Sequence, residues 1–260
     1  MADNVPTGAM MYKDDFSMAA AAAKTKTEYL KKNPGGYFIS SLLAGVFIGI
    51  GVFLSFTIGN LLDGQPYAKI LMGASFSVAL SLVVIAGAEL FTGSNFVMPA
   101  GLFSKTISFG QTLKLWGFCY IGNWFGSIII SAIFLGTGLA SGSLGEFINA
   151  ASTEKTTLAF LPLFFRAVLC NTLVCLAVWS CVRCKSESGK LIIIFWCMLA
   201  FVTTGFEHCV ANMTLLTVSF MNNGISAGAY FYNISIATLG NMVGGILFVA
   251  LPYHLITRKG

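Results

Sequence analysis

Gly87-Ala88-Glu89-Leu90-Phe91-Thr92-Gly93 and Gly205-Phe206-Glu207-His208-Cys209-Val210-Ala211 decide how this chain reads. Each sets Gly-x-Glu in the middle of an apolar run, and Glu89 and Glu207 stand 118 residues apart. Gly122-Asn123 and Gly240-Asn241 repeat the same offset. A chain built as a doubled unit, each half with a polar interruption at membrane depth, carries the pattern expected of a transport site.

Working outward, the first of these stretches lies within Ile70–Phe103, apolar except for Glu89. As one helix it would be about 50 Å long, against a hydrocarbon core of about 30 Å. Gly87, Thr92, Gly93, Asn95 and Pro99 cluster in it, so a break is expected near 87–95. Leu191–Met221 repeats the anomaly, with a break expected near 205–209. Non-helical backbone at that depth is tolerated only inside protein or along a watery cavity. The remaining spans are expected at about 36–61, 113–138, 159–183 and 229–256.

Composition agrees with this. The chain is 56% hydrophobic and 10% charged, with 28 glycines, whereas soluble chains carry roughly 25% charged residues. The ~10-residue alternation of a β-barrel is missing. Residues 1–35 lack the apolar stretch of a cleavable signal peptide. They read as a cytoplasmic segment in which Phe16–Tyr29 can form a short interfacial helix. A Gly/Ser-rich connection over Gly136–Gly145 leads into the polar segment Glu146–Thr157.

The net charge of +5 reports topology rather than nucleic-acid binding. Twelve of the fifteen Lys and Arg residues precede span one, follow span six, or lie between spans two and three or four and five. Lys69 and Lys155 fall in loops on the other side and Arg166 within span four. The positive-inside rule then places both termini, including residues 257–260, in the cytoplasm. Three spans per half force the halves into opposite orientations. The expected fold is an all-α membrane protein of two inverted three-helix repeats, with helices two and five broken.

His208 is the leading candidate for function. It is an ionisable group at a break in mid-membrane, where burial is expensive. An imidazole also titrates near physiological pH. Its bland alternative is a neutral ring tying helices together. His254 is placed near the cytoplasmic end of span six. Glu89 and Glu207 are either proton carriers or scaffold, and their symmetry favours carboxylates that accept hydrogen bonds from amides freed at the breaks. Gly87, Gly93 and Gly205 belong to the same scaffold. Thr92 matches Val210 in the second copy, and its hydroxyl can meet His208 across the pseudo-twofold.

Leu90, Phe91 and Phe201 are ordinary core or constrictions that exclude water and bare ions. Asn171 and Asn212 are either helix glue or pore lining. Lys155, ahead of span four, can draw anions toward a pore mouth, and Arg166 is expected to snorkel or to pair with a carboxylate. The seven cysteines read mainly as small apolar fillers. Cys181-x-x-Cys184 has no second pair to complete a metal site, so no metal or cofactor is expected.

Leu61-Leu62-Asp63, the Gly87–Gly93 stretch, Glu154-Lys155-Thr156-Thr157, Leu169-Cys170-Asn171 with Leu173–Ala177, and Gly205-Phe206-Glu207-His208 with Ala211-Asn212-Met213-Thr214 resemble the formate/nitrite transporter family. The likeness covers residues ~30–256 and is closest to the nitrite-channel branch, with formate and hydrosulfide channels as relatives. It implies an aquaporin-like fold and a homopentamer with one pore per protomer. It also implies a gating loop at the break of span two and a central Thr92–His208 pair with Asn171 and Glu207 nearby. Leu90, Phe91 and Phe201 would be constrictions and Lys155 an anion attractor. The family usually has serine after this histidine, where this chain has Cys209.

The expected activity is therefore passive, pH-sensitive passage of nitrite first, or of formate or hydrosulfide, with their conjugate acids. A water or glycerol channel is a different class, but it needs Asn-Pro-Ala at the breaks, and the only Asn-Pro here is Asn33-Pro34. A haem-binding membrane enzyme is a third, disfavoured by two histidines in all.

Overall fold

A computed structural model describes residues 8–258, all of whose regular elements are helices. In order these are α1 (Gly8–Lys32), α2 (Pro34–Leu61), α3 (Ala68–Leu82, closing in a π turn over Val83–Gly87), α4 (Phe91–Phe103), α5 (Phe109–Gly136) and α6 (Ser143–Thr156). They continue with α7 (Phe160–Arg183), α8 (Glu187–Thr203), α9 (Cys209–Met221), α10 (Ala227–Gly245, followed by a π turn over Ile246–Ala250) and α11 (Leu251–Thr257).

Local chemistry sets these boundaries. Asn33 caps α2 through the Gly36 amide, and Pro34 supplies the first helical residue, where no amide partner is needed. Ser108 and Gln111 form a reciprocal capping box on α5. Ser186 and Ser226 cap α8 and α10.

Five helical runs are long and apolar enough to cross a membrane: Pro34–Leu61, Ala68–Gly87, Phe109–Gly136, Phe160–Arg183 and Ala227–Thr257. The remaining hydrophobic segment is divided between α8 and α9, with 17 and 13 residues, each short of the ~20 that a span needs. The long helices are apolar on both sides. Ile39, Leu43, Ile50 and Leu54 of α2 and Ile121, Phe125, Ile129 and Ile133 of α5 are exposed, as expected of surfaces that meet lipid or a partner rather than water.

α2 packs along α5, α7 along α10 and α3 along α8. Glycine allows the first two approaches. A Cβ on Gly126 would overlap the Leu42 carbonyl, and one on Gly244 the Val168 carbonyl. These two glycines are again 118 residues apart, so one small-residue contact is used twice. The short helices α4 and α9 are buried on nearly every face, and neither carries a charged residue.

The N-terminal segment is helical over Gly8–Lys32, and its apolar stripe of Phe16, Ala19, Ala20, Ala23 and Leu30 is buried against protein, chiefly α4. Ion pairs Lys26–Glu89 and Arg183–Asp15 hold it there, with the Phe16 ring edge-on to Phe96 and Trp179. The polar segment falls in a helix, Ser143–Thr156. Leu144, Ile148, Ser152 and Thr156 recur every fourth residue as its buried face. Glu146 in its first turn and Lys155 in its last suit the helix dipole.

Candidate functional site

Between α3 and α4 the chain leaves the helix at Gly87, which has φ +84°, and Ala88 and Leu90 are extended. Between α8 and α9 it leaves at Gly205, with φ +74°, and His208 is extended. Left-handed φ at both points is what only glycine adopts freely. Gly93 is different: it is an ordinary helical residue inside α4, where a Cβ would lie 3.4 Å from Val178.

Amides released by these interruptions need acceptors. In each half one asparagine side chain supplies most of the answer. The Phe91 N–H donates to Asn123 Oδ1 (2.9 Å), while Asn123 Nδ2 donates to the carbonyls of Glu89 (2.9 Å) and Ser41 (2.7 Å). The Cys209 N–H donates to Asn241 Oδ1 (2.8 Å), and Asn241 Nδ2 to the carbonyls of Glu207 (2.9 Å) and Ala167 (2.7 Å). The Glu89 amide reaches the Ser40 carbonyl and the Glu207 amide that of Arg166. Sequence reasoning did not give Asn123 and Asn241 this role, although their 118-residue spacing was the available signal.

The carboxylates therefore do something other than take up freed amides. Glu89 accepts both of its short bonds from Lys26 Nζ (2.6 Å each) and a third from the Tyr37 hydroxyl (3.1 Å). Glu207, 2% exposed at its side chain, accepts from Lys155 Nζ (2.7 Å) and from Asn212 Nδ2 (2.6 Å). Asn212 also donates to Asn233 Oδ1 (2.8 Å). Lys155 thus sits at the end of a helix as half of an ion pair, not in a loop as a free cation. Arg166 meets no carboxylate within 4.0 Å among the described residues.

The first turns of α4 and α9 meet at Thr92 and His208. Thr92 Oγ1 lies 3.0 Å from His208 Nε2, both residues buried. His208 caps α9, its Nδ1 accepting the Ala211 N–H at 3.0 Å. A ring nitrogen that accepts carries no proton, so the neutral imidazole holds its hydrogen on Nε2 and donates it to Thr92. The Thr92 carbonyl in turn accepts from Asn171 Nδ2 (3.2 Å), which also donates to the Asn241 carbonyl (2.7 Å). The positive ends of two short helices converge on this pair, a setting that favours negative charge.

A cavity of about 810 Å³ reaches His208 from one end of the molecule. Its mouth carries Asp63, Lys69, Glu146 and Glu154; deeper walls include Lys155, Arg166, Phe76 and Phe201. The Phe201 ring stacks on the imidazole with centroids 6.0 Å apart and meets Phe76 edge-on. Leu90 and Phe91 are buried away from this cavity, the Phe91 ring edge-on to Tyr120 and Trp116. His254 packs beside Phe16 and Phe103. Cys181 and Cys184 are free, partly exposed thiols at the end of α7. No group of three His, Cys, Asp or Glu side chains spaced for a metal occurs among the described residues.

The family profile described as Formate/nitrite transporter matches residues 15–255. The nitrite transporter NirC of Salmonella typhimurium is 38% identical over 256 residues, covering 96% of this chain and 93% of that one. A solved FNT family ion channel superposes with a TM-score of 0.89 at 36% identity, covering 94% of this chain and 99% of its own. A solved pentameric formate channel with formate bound gives 0.76 at 31% identity, over 88% and 99%.

Proposed function

The chain belongs to the formate/nitrite transporter family, and we propose that it passes small monovalent anions, nitrite first, across the membrane through a pore that narrows at Thr92–His208. The observation that carries this is the 3.0 Å contact between those two side chains, with His208 and the Phe201 ring stacked on it both lining the cavity. Nitrite is placed first because the Salmonella relative is a nitrite transporter at 38% identity over nearly the whole chain. Formate is the next candidate, on the formate-bound neighbour, and hydrosulfide shares the charge and small size.

Six spans are assigned, residues 36–256, in two inverted three-helix repeats with the second and fifth broken as in aquaporins. The twofold use of Asn123 and Asn241 and of Gly126 and Gly244 supports that reading. Both termini are assigned to the cytoplasm of a bacterial inner membrane on the placement of Lys and Arg. A homopentamer follows the pentameric neighbour, with exposed apolar faces available for contact.

Passage is governed by charge. A bare anion pays a large desolvation cost between Phe76, Phe201 and the buried pair. With Nδ1 engaged by Ala211, the ring offers one neutral N–H and has no proton to give. Nitrite therefore takes its proton from hydronium in the cavity, leaving water behind, and passes as nitrous acid. The rival route is passage of the anion past an imidazolium, which requires Nδ1 to release the Ala211 amide.

Purified protein in liposomes tests the proposal. Nitrite influx well above protein-free vesicles is expected, with no accelerated swelling in glycerol. Glycerol permeation without nitrite influx would overturn it.

A further inference from the structure

We propose that Arg166 is the anion-docking residue of the cavity, and that its guanidinium reads the bent O–X–O fork that nitrite and formate share. The inference rests on the pore reading above and adds to it a residue that sets substrate class.

Three cations line the cavity: Lys69, Lys155 and Arg166. Lys69 is exposed at the rim, beside the exposed carboxylates of Asp63, Glu146 and Glu154. Lys155 is deeper but is paired with the buried Glu207 at 2.7 Å, so its formal charge is cancelled where it stands. Arg166 is half-buried, and among the described residues its guanidinium has no carboxylate partner. It is therefore the cation lining the cavity that is neither exposed at the rim nor held in an ion pair among the described residues.

The position of Arg166 is fixed from two sides. Its carbonyl accepts the Glu207 N–H (3.3 Å), which pins its backbone to the level of the second break. Five residues along α7, about 7.5 Å of helix rise, Asn171 holds the Thr92 carbonyl. Arg166 thus stands roughly one and a half turns before the narrow point on the same helix, about 140° round its axis from Asn171, a separation that its long side chain has to span.

An unpartnered arginine in a membrane-spanning helix is costly to keep. Its planar fork matches a carboxylate-like pair of oxygens in a way that an ammonium point charge does not. Nitrite and formate each present two oxygens on one central atom; chloride and hydrosulfide present none. Docking there would hold the anion short of the constriction until hydronium in the cavity protonates it, which leaves water and frees the neutral acid from the guanidinium.

The test is concentration-dependent nitrite uptake into liposomes by the wild-type chain and by Arg166→Lys, which keeps the charge and loses the fork. Half-saturation is expected to rise about tenfold in the variant, the loss of one charge-assisted bond, with the rate at saturating nitrite within about twofold. Unchanged half-saturation would overturn the assignment. A second measurement needs no variant: formate should compete with nitrite uptake by the wild-type chain, and equal chloride should not. Equal competition by both would leave a simple charge and remove fork recognition. Wild-type protein that carries neither nitrite nor formate would instead overturn the pore reading, and this inference with it.

Discussion

Thr92 Oγ1 and His208 Nε2 lie 3.0 Å apart across 116 residues of sequence, each in the first turn or at the cap of a different buried helix. The contact joins the two interruptions of the chain into one polar point with apolar rings around it. Removing the hydroxyl while keeping the shape should separate packing from chemistry. Thr92→Val is expected to fold and assemble as wild type but to carry nitrite at least about fivefold more slowly, the effect of one lost hydrogen bond. Thr92→Ser should retain most of the flux. Equal flux in the valine variant would show that the hydroxyl has no part in passage.

Asn123 and Asn241 each satisfy one orphan amide and two carbonyls beside a break. Truncating either to alanine leaves those groups buried and unpaired, at a cost of about 1–3 kcal/mol. The two variants should lower the thermal midpoint in detergent by similar amounts. A large effect from one and none from the other would refute equivalent roles.

Lys155 and Glu207 are expected to matter as a pair. Lys155→Met leaves a carboxylate that is 2% exposed without its cation, a loss of about 2–4 kcal/mol. Adding Glu207→Gln should recover most of that stability, because it removes the stranded charge. A double variant no better than the single one would mean that the bridge is not what holds α6 to the break.

Gly126 lies where a Cβ would overlap the Leu42 carbonyl, whereas Gly110 has open space around it. Gly126→Ala should reduce stability and the yield of assembled protein. Gly110→Ala should fall within about ±0.5 kcal/mol of wild type. Both can be read by thermal unfolding of the purified protein.

Much of the molecule is legible in its residues, and the reasons are physical. Hydropathy alone identifies an all-helical membrane chain, because lipid forces long charge-free runs. The motifs around Glu89, Lys155, Asn171 and His208 point to the family. What escapes is partnership over long separations. Nothing local says that Lys26 will reach Glu89, or Lys155 reach Glu207, 63 and 52 residues away. Asn123 and Asn241 stand out as a repeat, but their task depends on which carbonyls surround them. α6 hides because its buried stripe includes Ser152 and Thr156, polar residues that hydropathy counts as surface. α1 hides because alanine says little about what it packs on.

The central claim is that a small acid passes at His208, and nitrite flux as a function of pH measures it most directly. Full-length protein in liposomes, wild type beside His208→Asn, should give influx that rises as the external pH falls and that is reduced across the whole pH range for the variant. Nitrite influx in His208→Asn with wild-type rate and wild-type pH dependence would contradict the account.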